Sequence, residues 1–142
     1  KPDIKKLLNF FCSLEVLDKN RVPYLKKCEQ CFDKVCAIEE EFSEKHPEKE
    51  KYLENIAVYF IWRYFLKGVF DGEFFSRVFL MWVSCTVIDY LAGCIYAEKG
   101  SISSDDFLMV AKDYSKETEY CEENIERILD EAYNSDWWES EF

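Results

Sequence analysis

Glycine and proline are scarce in this chain, with 4 and 3 among 142 residues. A β-sandwich or barrel needs frequent turns, and these two residues build most of them. Their scarcity points instead to long helices joined by short loops. Histidine is scarcer still, at one. It is His46, beside Pro47 in a polar stretch, and it suggests no nucleophile–base pair. Four glycines leave no room for a phosphate-cradling loop or a Rossmann turn. The patterns G-x-S-x-G and H-E-x-x-H are also missing. Basic charge is in deficit, with 18 Lys and Arg against 29 Asp and Glu and a net charge of -11. The longest basic cluster, "YLKKCEQ", is brief and flanked by acids. Nucleic-acid binding draws on phosphate neutralisation, so nucleic acid is set aside as a partner. The chain opens "KPDIKKLL" without Met, as a piece of a longer protein would.

What is present is apolar. Hydrophobic residues make up 49% of the chain and aromatics 18%, which is enough to fill a core. The length suits one domain. Apolar residues recur at spacings of three and four. A first helix is expected near 2–16, with Ile4, Leu7, Leu8, Phe11 and Leu14 on one stripe. A second starts at Pro23, which suits a first helical turn, and runs to about 42. A third spans 48–70 and a fourth 73–98, with Gly72 between them and Gly100 as a C-terminal cap. Ser103 or Ser104 caps a fifth helix over 105–116. A sixth covers 117–133, unless the two are continuous. The predicted fold is all-α: a bundle of five to six helices with a long, buried, hydrophobic central helix. Residues 1–134 form the single helical domain. Residues 135–142, with "DWWESEF", form a flexible or loosely docked tail.

Seven cysteines, an odd number without small-scaffold spacing or a signal peptide, read as reduced thiols in a cytoplasmic protein. Three fall in "CEQCFDKVC". On one straight helix, at about 100° per residue, Cys31 and Cys36 sit on the apolar face of Cys28 but about 140° apart. One metal cannot easily meet both, and zinc needs further ligands. The expectation is buried thiols and no metal site.

The stretch 78–97 is long enough to span a bilayer, with Asp89 as its one charge near the middle. A carboxylate there is costly in lipid, and a core helix explains the pattern without a membrane. Asp89 then either has a partner or reaches the edge of the bundle. If the third and fourth helices form an antiparallel hairpin, Tyr52 lies opposite Asp89, and Arg63 lies opposite Val78, close to Arg77. The aromatics around Arg63, Tyr59, Trp62, Tyr64 and Phe65, read as core filling rather than a cation cage. The run "ETEYCEEN" reads as a solvated face. Its Glu117, Glu119, Glu122 and Glu123 lack any cation-loop spacing.

Three segments carry a resemblance: "S-L-E-x-L-D" from Ser13, "E-N-x-x-V-Y-x-x-x-R-Y-F" from Glu54 with "D-G" at Asp71, and "Y-S-K-E-x-E-x-x-E-E-N" from Tyr114. In this order they are similar to the C-terminal part of the bacterial flagellin lysine-N-methylase family. The resemblance covers most of the chain. It implies methylation of flagellin lysines with S-adenosylmethionine as donor. The family's compact cysteine cluster, which implies an iron–sulfur centre near the N-terminus, has no counterpart here. The chain therefore resembles a helical accessory domain, a fragment of a protein-lysine methyltransferase that is not catalytic alone and holds no cofactor itself. Flagellin and the missing N-terminal domain are the implied partners. No catalytic residue carries over. Glu54, Asn55, Tyr59, Arg63, Tyr64, Asp71, Gly72, Tyr114, Ser115, Glu119, Glu123 and Asn124 are signature positions only. Asn55, Tyr59, Arg63, Asp89, Tyr114 and Glu123 are the candidates for a functional or polar network. Asn55, Arg63, Tyr114 and Glu123 in particular would link the hairpin to the last helices or face the missing domain. The alternatives are a free-standing helical protein–protein interaction domain and a small-molecule-binding bundle.

Overall fold

Asp3 sets the start of the first helix. Its side chain accepts from the backbone N–H of Lys6 at 3.1 Å, satisfying a donor of the first turn. The computed structural model describes residues 2–137. Helix α1 is Ile4–Cys12, α2 is Arg21–Gln30 and α3 is Phe32–Lys45. Helix α4 runs over 48–71, with a π-helical turn, Ile61–Phe65, between α-helical Glu48–Phe60 and Leu66–Asp71. Helices α5 (Phe74–Lys99), α6 (Ser104–Glu119) and α7 (Glu122–Asn134) follow. Gly72 and Gly100 stop α4 and α5 at φ 75° and 73°, in a region that a side chain would strain. Ser103 opens α6 with a capping box: its hydroxyl accepts from Asp106 N and its own N–H donates to Asp106 Oδ2, both at 3.1 Å.

Helix α5 is the axis of the bundle, packed against α3, α4, α6 and α7 and touched by α1. Leu80, Val83, Val87, Ile88, Leu91 and Ala92 are all closed from solvent, so the helix is apolar nearly all round. Its length and hydropathy would suit a bilayer, but 61% of its most apolar window is buried by the other helices. Trp137 extends the core past the last helix. It stacks on Phe79 and its carbonyl accepts from Asp3 N at 3.0 Å. The remainder of the expected tail, 138–142, lies outside the described residues.

The described residues form seven helices, not five or six. The unforeseen break is at Cys31, whose φ of -84° and ψ of 3° end α2 and let α3 turn away. No Gly or Pro marks it. Packing imposes it, because α2 lies on α1 while α3 must lie along α5. The straight-helix geometry for "CEQCFDKVC" therefore does not hold. Cys28 is buried, Cys31 is half-buried and Cys36 is exposed. Tyr90 Oη and Cys94 Sγ both donate to the Cys28 carbonyl, at 2.7 and 3.8 Å. The interaction with Cys28, then burial, raises the Cys94 thiol far above its ordinary range. Burial and the charge of Asp89 push Cys85 up to about 11. Under native conditions a maleimide should modify Cys36 first, and Cys94 about 100-fold more slowly, at the rate of local opening. Mass mapping of the labelled chain checks this, and comparable early labelling of Cys94 would contradict the packing.

The connection from Ser13 to Asn20 has no helix of its own, and the last two helices hold it. Asn124 accepts from Glu15 N and donates to Glu15 O, both at 2.9 Å. Glu117 accepts from the N–H groups of Leu17 (2.8 Å) and Asp18 (2.9 Å). Arg127 donates to the carbonyl of Ser13 at 2.6 Å. The "S-L-E-x-L-D" segment and the "Y-S-K-E-x-E-x-x-E-E-N" segment thus meet, about a hundred residues apart in sequence. Glu117 is buried, which corrects the reading of this acidic run as wholly solvated.

Candidate functional site

The π turn, Ile61–Phe65, lies in the middle of the aromatic run of α4. A π turn inserts an extra residue into the helix, so side chains on either side no longer share one face. The aromatics split accordingly. Phe60 and Tyr64 enter the core, while Tyr59 and Trp62 are exposed. The expectation that all of them fill the core is corrected for those two.

Glu119, at the end of α6, is the hub beneath this turn. Its carboxylate is 5% exposed. Tyr64 Oη donates to Oε1 at 2.5 Å and Tyr59 Oη donates to both oxygens at 3.1 and 3.2 Å. Ser115 Oγ donates to Oε2. Arg63 Nε lies 3.0 Å from Oε1 and donates to Tyr64 Oη at 3.2 Å. Burial first, then the bond to the Glu119 carboxylate, raises the Tyr64 hydroxyl well above its ordinary range. Burial and the charge of Glu119 raise Tyr59 as well. The hydrogen bond to Tyr64 holds Arg63 more firmly charged. Both oxygens of Glu119 are taken by protein donors, so it has little capacity left to accept a substrate proton. The arrangement fixes a surface and does not resemble an acid–base centre.

That surface is apolar. Trp62 is 72% exposed and Phe70 91%, with Val58, Leu66 and Val69 along the same helix also open. Phe74, Phe75 and Val78 continue the patch onto the start of α5. The Phe65 and Phe74 rings meet at 5.1 Å across the hairpin, and Arg77 bonds Asp71 at 2.9 Å. The patch is therefore carried on a braced tip. Large apolar side chains left open on one hairpin in this number point to an interaction site.

The sequence candidates have separate fates. Tyr59 and Arg63 join the Glu119 network. Tyr114 is fully buried and pairs with Ser84 Oγ at 2.8 Å, tying α6 to α5. Asn55 and Glu123 are exposed and join neither. Asp89 sits at the opposite end of the hairpin, 3.1 Å from Lys49 Nζ. Lys49, not Tyr52, is its partner. It lies one turn before Tyr52 on the same face, and its long side chain covers the difference. Tyr52 packs on Phe107 instead, at 5.1 Å. Arg63 is drawn to Glu119, away from Val78. The sequence reading missed Glu119, Ser115 and Tyr64 as one site, although all three stood among the signature positions. Among the described residues, no three His, Cys, Asp or Glu side chains converge as metal ligands.

No curated relative and no solved structure matches the chain. A family model does: that of the FliB lysine N-methylase C-terminal domain, over residues 4–142. Its span takes in the π turn, the Glu119 network and the clamp on residues 13–20, and it agrees with the resemblance carried by the three signature segments. The chain belongs to the FliB lysine N-methylase C-terminal domain family.

Proposed function

We propose that this domain is the docking and positioning part of a protein-lysine methylating enzyme. Its α4–α5 tip seats the cysteine-rich catalytic region. In this reading the enzyme acts on flagellin lysines in the bacterial cytoplasm, with S-adenosylmethionine as donor. The single observation that carries the proposal is the exposure of Trp62 and Phe70 on a tip braced by Glu119 and Arg77. Leaving such side chains in water is unfavourable, and covering them offers binding energy without refolding.

The cysteines of this chain do not fit an iron–sulfur centre. Cys28 and Cys94 share one buried contact, Cys36 faces solvent and Cys85 donates to Leu53 O at 3.7 Å. A cluster needs four thiolates around one point. No strand occurs among the described residues, so a strand-to-helix glycine turn for a nucleotide is absent there. In this reading the methyl-transfer chemistry belongs to the other region. Titrating the chain into the separately purified cysteine-rich region of the same methylase tests the proposal by calorimetry. A saturable 1:1 complex is expected. No heat and no co-elution at tens of micromolar, roughly the strength of a weak interface, would count against it.

A further inference from the structure

A second site lies at the other end of the hairpin, where α3, α4 and α5 enclose a groove of about 350 Å³. This is within the range of small-molecule pockets, roughly 300–1,000 Å³. Val35, Phe42, Leu53 and Tyr90 supply an apolar lining. Gly93 lets α3 approach closely, since a Cβ there would sit 3.0 Å from Val35 Cγ1.

The charges at the groove are Glu39, Lys49 and Asp89, two acids and one base. Lys49 is committed. Its side chain is 10% exposed, and its ammonium lies 3.1 Å from Asp89 Oδ1, donates to Ser43 Oγ at 3.4 Å and sits 4.6 Å over the Phe42 ring. It has little left to offer an anion. Asp89 is not equally satisfied. Its Oδ1 is buried and faces Lys49 off the hydrogen-bonding direction, so the ion pair supplies no hydrogen bond. Its side chain is 38% exposed, and Oδ2 has no partner among the described residues. A carboxylate oxygen open at the edge of an apolar cavity is complementary to a cation that carries apolar bulk.

We propose that this groove binds a small amphipathic amine, with its apolar body along Val35, Phe42 and Leu53 and its ammonium on Asp89. The inference is independent of the docking role, which uses the opposite end of the hairpin.

Calorimetry with n-octylammonium, 1-octanol and octanoate, each below its aggregation concentration, tests it. Octylammonium is expected to bind 1:1 and about tenfold tighter than octanol, the scale of one partly exposed ion pair. Octanoate should bind more weakly than octanol. Asp89→Asn should bring octylammonium to the level of octanol and leave octanol unchanged. Thr86→Phe, which fills the groove from its wall and leaves both Asp89 and Lys49 in the chain, should abolish binding of all three. Equal binding of octylammonium and octanoate, or no saturation by any probe, would overturn the proposal. So would unchanged discrimination in Asp89→Asn. If that variant does not fold, full retention of octylammonium binding in Thr86→Phe decides against the groove.

Discussion

Asn124→Leu is expected to destabilise the fold by about 3 kcal/mol, lowering the melting temperature by roughly 10 °C for a domain of this size. Asn124 is 0% exposed and has no access to water. Its amide accepts from Glu15 N and donates to Glu15 O and Glu117 O, at 2.9, 2.9 and 3.3 Å. Leucine matches its size but removes all three bonds and strands a backbone N–H and two carbonyls. A stranded buried polar group costs about 1–3 kcal/mol, more than the bond itself contributed. The loss removes the Glu15 anchor of this connection and leaves it held at Ser13 by Arg127 and at Leu17 and Asp18 by Glu117, so the damage reaches the α1–α2 pair only in part. Asn55→Ala is the control. Asn55 is exposed, and its removal should change stability by less than about 0.5 kcal/mol. Denaturant unfolding of the two variants separates them. A loss below about 1 kcal/mol in Asn124→Leu would show that the clamp is not what orders this connection.

Joint replacement of Trp62 and Phe70 by Ser should weaken binding of the cysteine-rich region about 1,000-fold. Central aromatic anchors are each worth about 2 kcal/mol or more at an interface, and two of them give roughly that factor. Both side chains lie in solvent in the free domain, so the variant should keep its melting temperature and gain solubility. Binding and stability therefore part company here, whereas Asn124→Leu is expected to lower stability. A double variant that binds within about threefold of the native chain would place the interface elsewhere.

Much of the architecture was legible because local rules and burial agree. Gly72, Gly100 and Ser103 mark ends at which the backbone needs left-handed φ or a side-chain cap, and the apolar period over 78–97 reports a core helix directly. Three features were illegible for identifiable reasons. The break at Cys31 carries no turn residue and is imposed by the different partners of α2 and α3. The π turn is written in apolar residues whose pattern suits an ordinary helix, so the outward turn of Trp62 could not be read. Glu117 and Glu119 sit in an acidic run that resembles a solvated face. Glu117 and the Glu119 side chain are closed from solvent because backbone N–H groups and tyrosines far along the chain supply their partners. The one available signal was the company Glu119 kept among the signature positions: Tyr59, Arg63, Tyr64 and Ser115 converge on it, but no spacing rule joins positions from two distant helices. Asp89 has both a charged neighbour, Lys49, and an open edge. Its register was missed by one turn, because a lysine side chain reaches where a tyrosine at the facing position does not.

In the working enzyme the α4–α5 tip is expected to be covered. Hydroxyl-radical footprinting of Trp62 and Phe70, read by mass spectrometry in the intact methylase and in this domain alone, tests it at the side chains themselves. Strong oxidation of both is expected in the isolated domain and protection of about tenfold in the intact enzyme, with exposed Tyr24 unchanged. Equal oxidation of Trp62 and Phe70 in the two samples would contradict it.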